Sequence, residues 1–166
     1  SNFRPVKRTT DVIKIFKNLQ AKIKSELIMI GDGPDLDKTK KLVNTYGLSD
    51  SVHFVGKSKN IKSFLMKTDL FLLPSESESF GLVALEAMSF GVPVITTSSG
   101  GVVELVLNEY NGYTCMVGDV ESMSLRAYDL LSNPELYNKL SANAFATAKK
   151  YDIENIIPLY EACYLD

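Results

Sequence analysis

Short apolar runs alternate along the chain with segments in which apolar residues recur every three or four positions. The runs are rich in β-branched residues and predict five strands, at residues 27–30, 52–55, 70–73, 94–97 and 113–117. The periodic segments predict helices at residues 12–23, 36–46, 61–68, 80–90, 102–108, 120–131, 135–150 and 153–164. Strands that alternate with helices are typical of a parallel sheet covered on both faces. The pattern therefore predicts one domain, residues 1–166, of doubly wound α/β architecture.

The composition is that of an ordinary globular protein and argues against several classes of partner. Of the 166 residues, 45% are hydrophobic and 23% are charged, and the net charge is −2 with no block of like charges. This balance argues against nucleic-acid binding and against a basic membrane-binding patch. No apolar run reaches the length of a membrane span, no signal peptide opens the chain, and Cys115 and Cys163 match no metal or redox spacing. We therefore expect a cytoplasmic protein without a membrane span.

Three loops that follow predicted strands are rich in Gly, Ser and Pro: residues 31–34, 74–79 and 98–101. In doubly wound sheets, ligands bind beyond the carboxyl ends of the strands, and small residues let backbone amides approach an anion there. The first loop, Gly31-Asp-Gly33-Pro34, does not fit a dinucleotide fingerprint, because Leu36 stands where a third small residue is needed and Pro34 lacks an amide donor. We interpret it as a tight strand-to-helix turn with Asp35 near the helix start.

A metal site is not predicted. Asp35-Leu-Asp37 has the D-x-D pattern of some metal-dependent sugar-nucleotide enzymes, but acids are also favoured in the first turn of any helix. A metal would need further oxygen or nitrogen ligands nearby, and His53, the only histidine, lies within a predicted strand.

Two carboxylates eight residues apart are the most informative pair in the chain. Glu86 is the only charged residue between Ser79 and Val103, and the apolar run at residues 80–90 predicts a buried helix around it. A buried carboxylate requires a distant cation or a polar ligand. Glu78 lies on a predicted loop and, taken alone, would be a solvated acid. Two such acids could be a glycosidase acid/base pair, but a hydrolase site usually gathers aromatic residues and this chain has no Trp. The two acids could instead accept hydrogen bonds from vicinal hydroxyls of a ribose or hexose.

Phosphate groups would suit the start of the same predicted helix. The amides of Phe80, Gly81 and Leu82 lie at its N-terminus, where the helix dipole favours an anion, and Gly81 permits close approach. A cluster of cations, Arg4, Lys7 and Arg8, opens the chain and would balance a diphosphate or else form an exposed basic segment. The joint interpretation is a site with sugar hydroxyls on the acids and phosphates on the amides and cations.

The segment Glu78-Ser-Phe-Gly-Leu-Val-Ala-Leu-Glu86 resembles the E-x7-E motif of retaining glycosyltransferases of the GT-B fold, family 4. Further resemblances are Gly31-Asp-Gly-Pro34, Val52-His-Phe-Val-Gly56, Gly91-Val-Pro-Val94 and Gly100-Gly-x-x-Glu104, which has Val103 where Pro is common. GT-B enzymes have two Rossmann-like domains with the active site between them. The resemblance implies that this chain is the C-terminal, nucleotide-sugar domain, that its partner is an N-terminal acceptor domain absent from this sequence, and that the isolated domain is inactive.

The resemblance also implies a role for individual residues. Glu86 is expected to bind the ribose hydroxyls and Glu78 the transferred sugar. Lys7 matches the family's phosphate-binding lysine and, with the helix amides, would stabilise the leaving diphosphate without a metal cofactor. Asn2 stands where the family usually has an arginine, which leaves open whether Arg4 substitutes for it. The remaining expected contacts are Ser79, Phe80, Gly81 and Leu82 to sugar and phosphate, Gly31 in the first loop, and Val55, Gly56, Lys57 and Ser58 to uracil.

The opening Ser1-Asn-Phe-Arg-x-Val-Lys-Arg8 resembles a narrower branch of the family. That branch transfers N-acetylglucosamine from UDP-N-acetylglucosamine to L-malate in bacillithiol synthesis, which implies these substrates. Alternatives are another sugar or acceptor, an epimerase of related fold, or a non-catalytic binding module. The apolar stripe of the predicted last helix, at residues 153–164, would also permit a homo-oligomer.

Overall fold

The structure is a computed structural model that describes residues 2–151 of the 166-residue chain. A 3-10 turn, Pro5–Lys7, precedes the first helix. The strands are β1 Leu27–Ile30, β2 Val52–Gly56, β3 Phe71–Leu73, β4 Val94–Thr97 and β5 Gly112–Cys115. The helices are α1 Thr9–Gln20, α2 Leu36–Thr45, α3 Lys62–Leu65, α4 Leu82–Met88, α5 Val102–Leu105, α6 Val120–Ser132 and α7 Pro134–Lys150. Within residues 2–151, none of these helices has the length and apolarity of a membrane span. The predicted helix at residues 153–164 lies outside the described part.

The strands are all parallel and form two sheets, β1-β2 and β3-β4-β5. The β1 and β3 strands both line a groove of about 760 Å³ between the sheets. In the usual doubly wound order, 3-2-1-4-5-6, this groove occupies the place of strand 1. The predicted parallel α/β architecture is therefore confirmed, with its sheet in two parts. The carboxyl ends of the strands bring the loops after β1, β2, β3, β4 and β5 to a common edge.

Three apolar clusters hold the helices on the sheets. One joins α4, α5 and α7 to β3 and β4, a second joins α1, α6 and α7 to β4 and β5, and a third joins α1 and α2 to β1 and β2. The third cluster includes Phe3, which is fully buried just ahead of the 3-10 turn. Burying one large apolar side chain contributes about 1.5–3 kcal/mol to stability. Phe3 therefore anchors the opening segment, and with it Lys7, against the body of the domain.

The α4 helix differs from its prediction in length and in burial. The apolar run predicted a buried helix at residues 80–90, but the helix covers only Leu82–Met88. Its inner side carries Ala84, Ala87 and Met88, whereas Leu82 is 66% exposed and Glu86 is also exposed. A run of apolar residues does not distinguish a buried helix from one with an apolar exposed face. The inference that Glu86 is a buried carboxylate is therefore wrong.

The β5 strand ends earlier than predicted. The apolar run suggested residues 113–117, but the strand ends at Cys115, and Met116 is 71% exposed. Val117 is exposed as well, beside the positive-φ residue Gly118. These apolar side chains lie in the loop after β5, at the carboxyl edge of the sheet, and Leu82 is exposed as the first residue of α4. Part of the exposed apolar surface therefore lies at the edge where the loops converge.

Candidate functional site

An ion pair between Lys7 and Glu78 is the centre of the polar cluster at the carboxyl edge. Lys7 Nζ donates to Glu78 Oε1 at 2.5 Å, and Ser75 Oγ donates to the same oxygen at 2.8 Å. Glu78 is only 9% exposed, so the buried acid of the E-x7-E segment is Glu78 and not Glu86. The alternative that Glu78 is a solvated loop acid is wrong. The loop between β3 and α4 folds inward, and this places the carboxylate against a cation 71 positions away in the chain.

The opening turn and the β3–α4 loop are joined by more than this pair. The Glu76 amide donates to the Val6 carbonyl at 2.8 Å. Arg8 donates through Nη1 to Glu76 Oε1 at 3.1 Å and through Nε to Asp11 Oδ2 at 2.6 Å. The hydrogen bond to Asp11 is the main cause that raises the pKa of Arg8, so the guanidinium is charged. Three successive residues of the opening segment, Val6, Lys7 and Arg8, therefore bind Glu76 and Glu78 of one loop.

Two adjacent glycines let a second loop lie directly on the first. The Gly101 amide donates to the Glu78 carbonyl at 2.7 Å. A Cβ on Gly100 would lie 2.2 Å from the Glu78 carbonyl oxygen, and one on Gly101 would lie 2.0 Å from the Ser79 carbonyl oxygen. On the other side, Thr97 Oγ1 donates to the Ser75 carbonyl at 2.6 Å. The β4 strand and its following loop thus fix both ends of the segment that carries Glu78.

Glu86 lies on the exposed side of α4, and its carboxylate forms no ion pair with another residue of the described range. It is among the residues that line the groove, as are Asn2, Lys7 and Pro74. Glu86 and Lys7 therefore both border this groove, and Glu86 is exposed to solvent. The expected contact of Glu86 with the ribose hydroxyls stays a prediction, and the carboxylate that would make it is exposed, not buried. Arg4 is also exposed, at the N-cap of the 3-10 turn.

The glycine-rich turn after β1 serves packing. The Gly31 amide donates to the Gly56 carbonyl at 2.8 Å and is therefore already used in the sheet. A Cβ on Gly33 would lie 2.7 Å from the Phe3 amide nitrogen, so this glycine is needed for the opening segment to pass. Asp35 is the N-cap residue of α2. The interpretation of this loop as a tight strand-to-helix turn is confirmed, and the substrate contact expected of Gly31 stays a prediction.

The residues expected to contact uracil lie at the end of β2, beside the turn after β1. Val55 is exposed, Gly56 pairs with Ile30, and Lys57 Nζ lies 3.7 Å from Asp32 Oδ2. Ser58 Oγ accepts a hydrogen bond from the Asn60 amide at 3.1 Å. This segment shares the carboxyl edge with the Lys7–Glu78 pair but does not line the groove. Its uracil role stays a prediction.

The loop that leads into α4 contains the residues expected to meet sugar and phosphate. Gly81 is the N-cap with φ 85°, and a Cβ there would lie 2.8 Å from Val102 Cγ2. Phe80 packs edge-on against Tyr151, with the ring centroids 5.6 Å apart, and Ser79 is exposed. The helix begins at Leu82, and the Ala84 and Leu85 amides of its first turn donate to the Gly81 carbonyl at 2.8 and 3.0 Å. No group of three or more His, Cys, Asp or Glu suited to a metal is found in residues 2–151, and metal independence stays a prediction.

Comparison with known proteins decides the family. The family model described as "Glycosyl transferases group 1" matches residues 1–147. The chain belongs to this glycosyltransferase family. It is 40% identical over 167 residues to N-acetyl-alpha-D-glucosaminyl L-malate synthase of Bacillus anthracis, with all of this chain and 44% of that protein covered. The predicted family and its Rossmann-like fold are thereby confirmed.

Solved structures of glycosyltransferases superpose on the domain. The Anabaena protein Alr3699/HepE, in a complex with UDP and glucose, has a TM-score of 0.86 and 26% identity, and the match covers 100% of this chain and 47% of that one. The C-terminal domain of LpcC from Francisella tularensis, a glycosyl transferase group 1 family protein, has a TM-score of 0.83 and 29% identity. That match covers 92% of this chain and 83% of the LpcC domain. The chain spans less than half the length of the first curated relatives, which are covered by 44%, 42% and 43%.

Several residues of the candidate site carry no functional signal in the sequence. Ser75 and Thr97 support Glu78 but carry no signal in the sequence, because single hydroxyl residues are common in loops and strands. Arg8 was grouped with the cations that open the chain, yet it binds protein carboxylates. The glycine pair at residues 100–101 is visible in the sequence as part of a small-residue loop and of the family pattern. Its tertiary reason, two close backbone contacts, requires knowledge of which loops meet.

Proposed function

We propose that this chain is the UDP-sugar-binding half of a retaining glycosyltransferase that transfers N-acetylglucosamine from UDP-N-acetylglucosamine to L-malate without a metal. The observation that carries the proposal is the Lys7–Glu78 ion pair, with Glu86 exposed and lining the same groove as Lys7. The pair joins the two expected reaction-centre residues, a cation and a buried acid, and leaves a second carboxylate accessible. The 40% identity to the L-malate synthase supports the choice of donor and acceptor.

The proposed chemistry uses charge and hydrogen bonding. Lys7 stabilises the diphosphate as the bond between the sugar C1 and the phosphate oxygen breaks. The departing phosphate oxygen takes the proton of the acceptor hydroxyl on the same face, while that hydroxyl oxygen forms the new bond to C1. Glu78, already oriented by Lys7 and Ser75, accepts hydrogen bonds from hydroxyls of the transferred sugar, and Glu86 accepts them from the ribose. No protein nucleophile enters this sequence of steps.

The first test is a calorimetric titration of this chain with UDP and with UDP-N-acetylglucosamine, in Mg²⁺ and in EDTA. We expect binding of both, with the same affinity in either buffer. Binding only in Mg²⁺ would contradict the metal-free proposal. The absence of binding to this chain and to the complete protein alike would contradict the nucleotide-sugar proposal itself.

Glu86→Ala tests the ribose contact. Because Glu86 is exposed and unpaired within residues 2–151, its removal should leave thermal stability unchanged and weaken UDP binding by about 1–3 kcal/mol, the contribution of charge-assisted hydrogen bonds. Glu135→Ala is the matched control, since it removes an exposed carboxylate from the start of α7 with the same change in net charge. Equal affinities of the two variants in calorimetry would rule out the ribose contact.

The acceptor half of the enzyme is part of the proposal. The exposed apolar residues at the carboxyl edge support a facing domain there: Leu82, Val83, Met116 and Val117. The complete protein should transfer N-acetylglucosamine to malate with retention at C1, and product analysis distinguishes this from epimerisation, hydrolysis or another acceptor. A cytoplasmic location, and the homo-oligomer suggested by residues 153–164, stay predictions.

A further inference from the structure

We propose that Arg8 is a positioning residue of the nucleotide-sugar site, which holds the β3–α4 loop so that Glu78 meets Lys7. The proposal rests on the function proposed above. Adjacent cations of one turn bind two acids of one loop, Lys7 to Glu78 at 2.5 Å and Arg8 to Glu76 at 3.1 Å. The Glu76 amide also donates to the Val6 carbonyl at 2.8 Å. Three successive residues, Val6 to Arg8, therefore contact the β3–α4 loop.

Arg8 is anchored on the side away from the loop. Its Nε donates to Asp11 Oδ2 at 2.6 Å, and Asp11 is only 2% exposed at the start of α1. Lys14 Nζ holds the other carboxylate oxygen of Asp11 at 2.9 Å. A guanidinium presents several N–H groups in a fixed plane, so one side binds Asp11 while Nη1 reaches Glu76. A lysine at this position has a single nitrogen and cannot bind both acids in the same geometry.

The backbone at Arg8 is unusual for a residue with a side chain. It has φ 47° and ψ 44°, the left-handed conformation, and its carbonyl accepts from the Asp11 amide at 2.8 Å at the start of α1. A glycine adopts this conformation more easily than an arginine does. Arginine is nevertheless present, and its Nη2 would lie 3.1 Å from a Cβ on Gly118, in the loop after β5. The side chain thus binds Asp11 of α1 and Glu76 of the β3–α4 loop, and it lies near the loop after β5.

These contacts argue for a positioning role rather than a direct ligand contact. The guanidinium of Arg8 is already paired with two carboxylates, whereas Lys7 lines the groove and Arg8 does not. Loss of Arg8 should therefore act on ligand phosphates only through the placement of Lys7 and Glu78. Arg8→Gly is a suitable variant, because glycine keeps the local backbone conformation while removing every side-chain contact.

The test measures UDP and uridine affinities for the wild type, Arg8→Gly, Lys7→Ala and the double variant, with Arg126→Ala as a control. Arg126 is a half-buried arginine of α6 that pairs with Glu109 at 3.4 Å and lies over the Tyr113 ring, outside the site. We expect Arg8→Gly to weaken UDP binding about three- to tenfold and uridine binding less than about twofold, as for loss of charge-assisted contacts. In the Lys7→Ala background the same change should have little effect, and Arg8→Lys should recover only part of the loss.

Two outcomes of these titrations would overturn the proposal. Equal losses for UDP and uridine would mean that Arg8 supports the fold in general. Losses that simply add to those of Lys7→Ala would mean that Arg8 acts independently of Lys7, for example by touching phosphate itself.

Hydrogen exchange of the ligand-free protein separates failure of this proposal from failure of the proposed function. Arg8→Gly should speed exchange at the amides of Glu76 and Gly101, which are bonded to Val6 and Glu78, and leave the amides of α7 unchanged. If no nucleotide binds to the wild type, the proposed function fails, and the exchange result alone decides the positioning role. Unchanged exchange at Glu76 and Gly101 would overturn it.

Discussion

Lys7→Met is expected to lower the free energy of unfolding by about 2–4 kcal/mol, because it leaves a buried carboxylate without its cation. Glu78 is 9% exposed, and Ser75 at 2.8 Å would be the remaining side-chain donor to the oxygen that Lys7 contacts. The Met side chain fills a similar space, so the change reports mainly on charge. Urea unfolding of Lys7→Met and of the wild type at pH 7 measures this loss in the free energy of unfolding.

Lys14→Met is the matched control for this prediction. Lys14 also pairs with a buried acid, Asp11, but Arg8 still contacts that acid when Lys14 is removed. Its loss should therefore cost less than about 1 kcal/mol. If Lys7→Met costs no more than Lys14→Met, the Glu78 carboxylate is not dependent on Lys7, and the central contact of the proposed site is wrong.

The neutral pair Lys7→Met/Glu78→Gln separates stability from binding. Replacing both members of a buried ion pair removes the unpaired charge, and the double variant should recover to within about 1 kcal/mol of the wild type. UDP binding should not recover with it, since the cation for the diphosphate is still absent. A stable double variant with wild-type UDP affinity would exclude Lys7 as the phosphate ligand.

Gly100→Ala is expected to destabilise the domain by about 3 kcal/mol or more, through overpacking as well as backbone strain. Its Cβ would lie 2.2 Å from the Glu78 carbonyl oxygen, where the neighbour is backbone and cannot rotate away. Gly100 also has φ 76°, a conformation that alanine disfavours. The clash between this Cβ and the Glu78 carbonyl can be relieved only if the loop that carries Glu78 moves. UDP-sugar binding should therefore fall together with the melting temperature.

Gly47→Ala isolates the backbone part of this effect. Gly47 has φ 66°, close to that of Gly100, but a Cβ there would meet nothing within 4 Å. We expect a cost of about 1–2 kcal/mol from the left-handed conformation alone, and unchanged nucleotide binding. Equal melting temperatures for the two alanine variants would show that the loop contact at Gly100 is soft, contrary to the geometry.

The sequence predicted two of the strands with the correct bounds. The predictions at residues 27–30 and 94–97 match β1 and β4, of which β4 is buried throughout, whereas Ile28 of β1 is 41% exposed. Predictions failed at the carboxyl edge, where apolar residues are exposed. Met116 and Val117 extended the predicted β5, and Leu82 and Val83 suggested that α4 is buried. The hydrophobic pattern records residue type, and it cannot record which face another element covers.

The candidate site shows the same division. The sequence shows the spacing of Glu78 and Glu86 and the family motif that spans them. That motif indicated the correct family. The sequence does not show the environments of the two acids: Glu78 is buried and paired, and Glu86 is exposed. The expectation for Glu86 rested on its sequence neighbours, but the burial of a carboxylate depends on what packs against it from elsewhere in the chain.

By itself, the sequence determined the order of strands and helices, the parallel α/β class, the family, and the segment in which the acids of the site lie. These follow from local periodicity and from a nine-residue motif, Glu78 to Glu86, which are properties of neighbouring positions. The tertiary structure alone decided that Lys7 meets Glu78 and that Arg8 binds Asp11 and Glu76. It also decided that the glycines at residues 100–101 lie against the β3–α4 loop. Such contacts join loops far apart in the chain, and packing of the whole domain brings those loops to one edge.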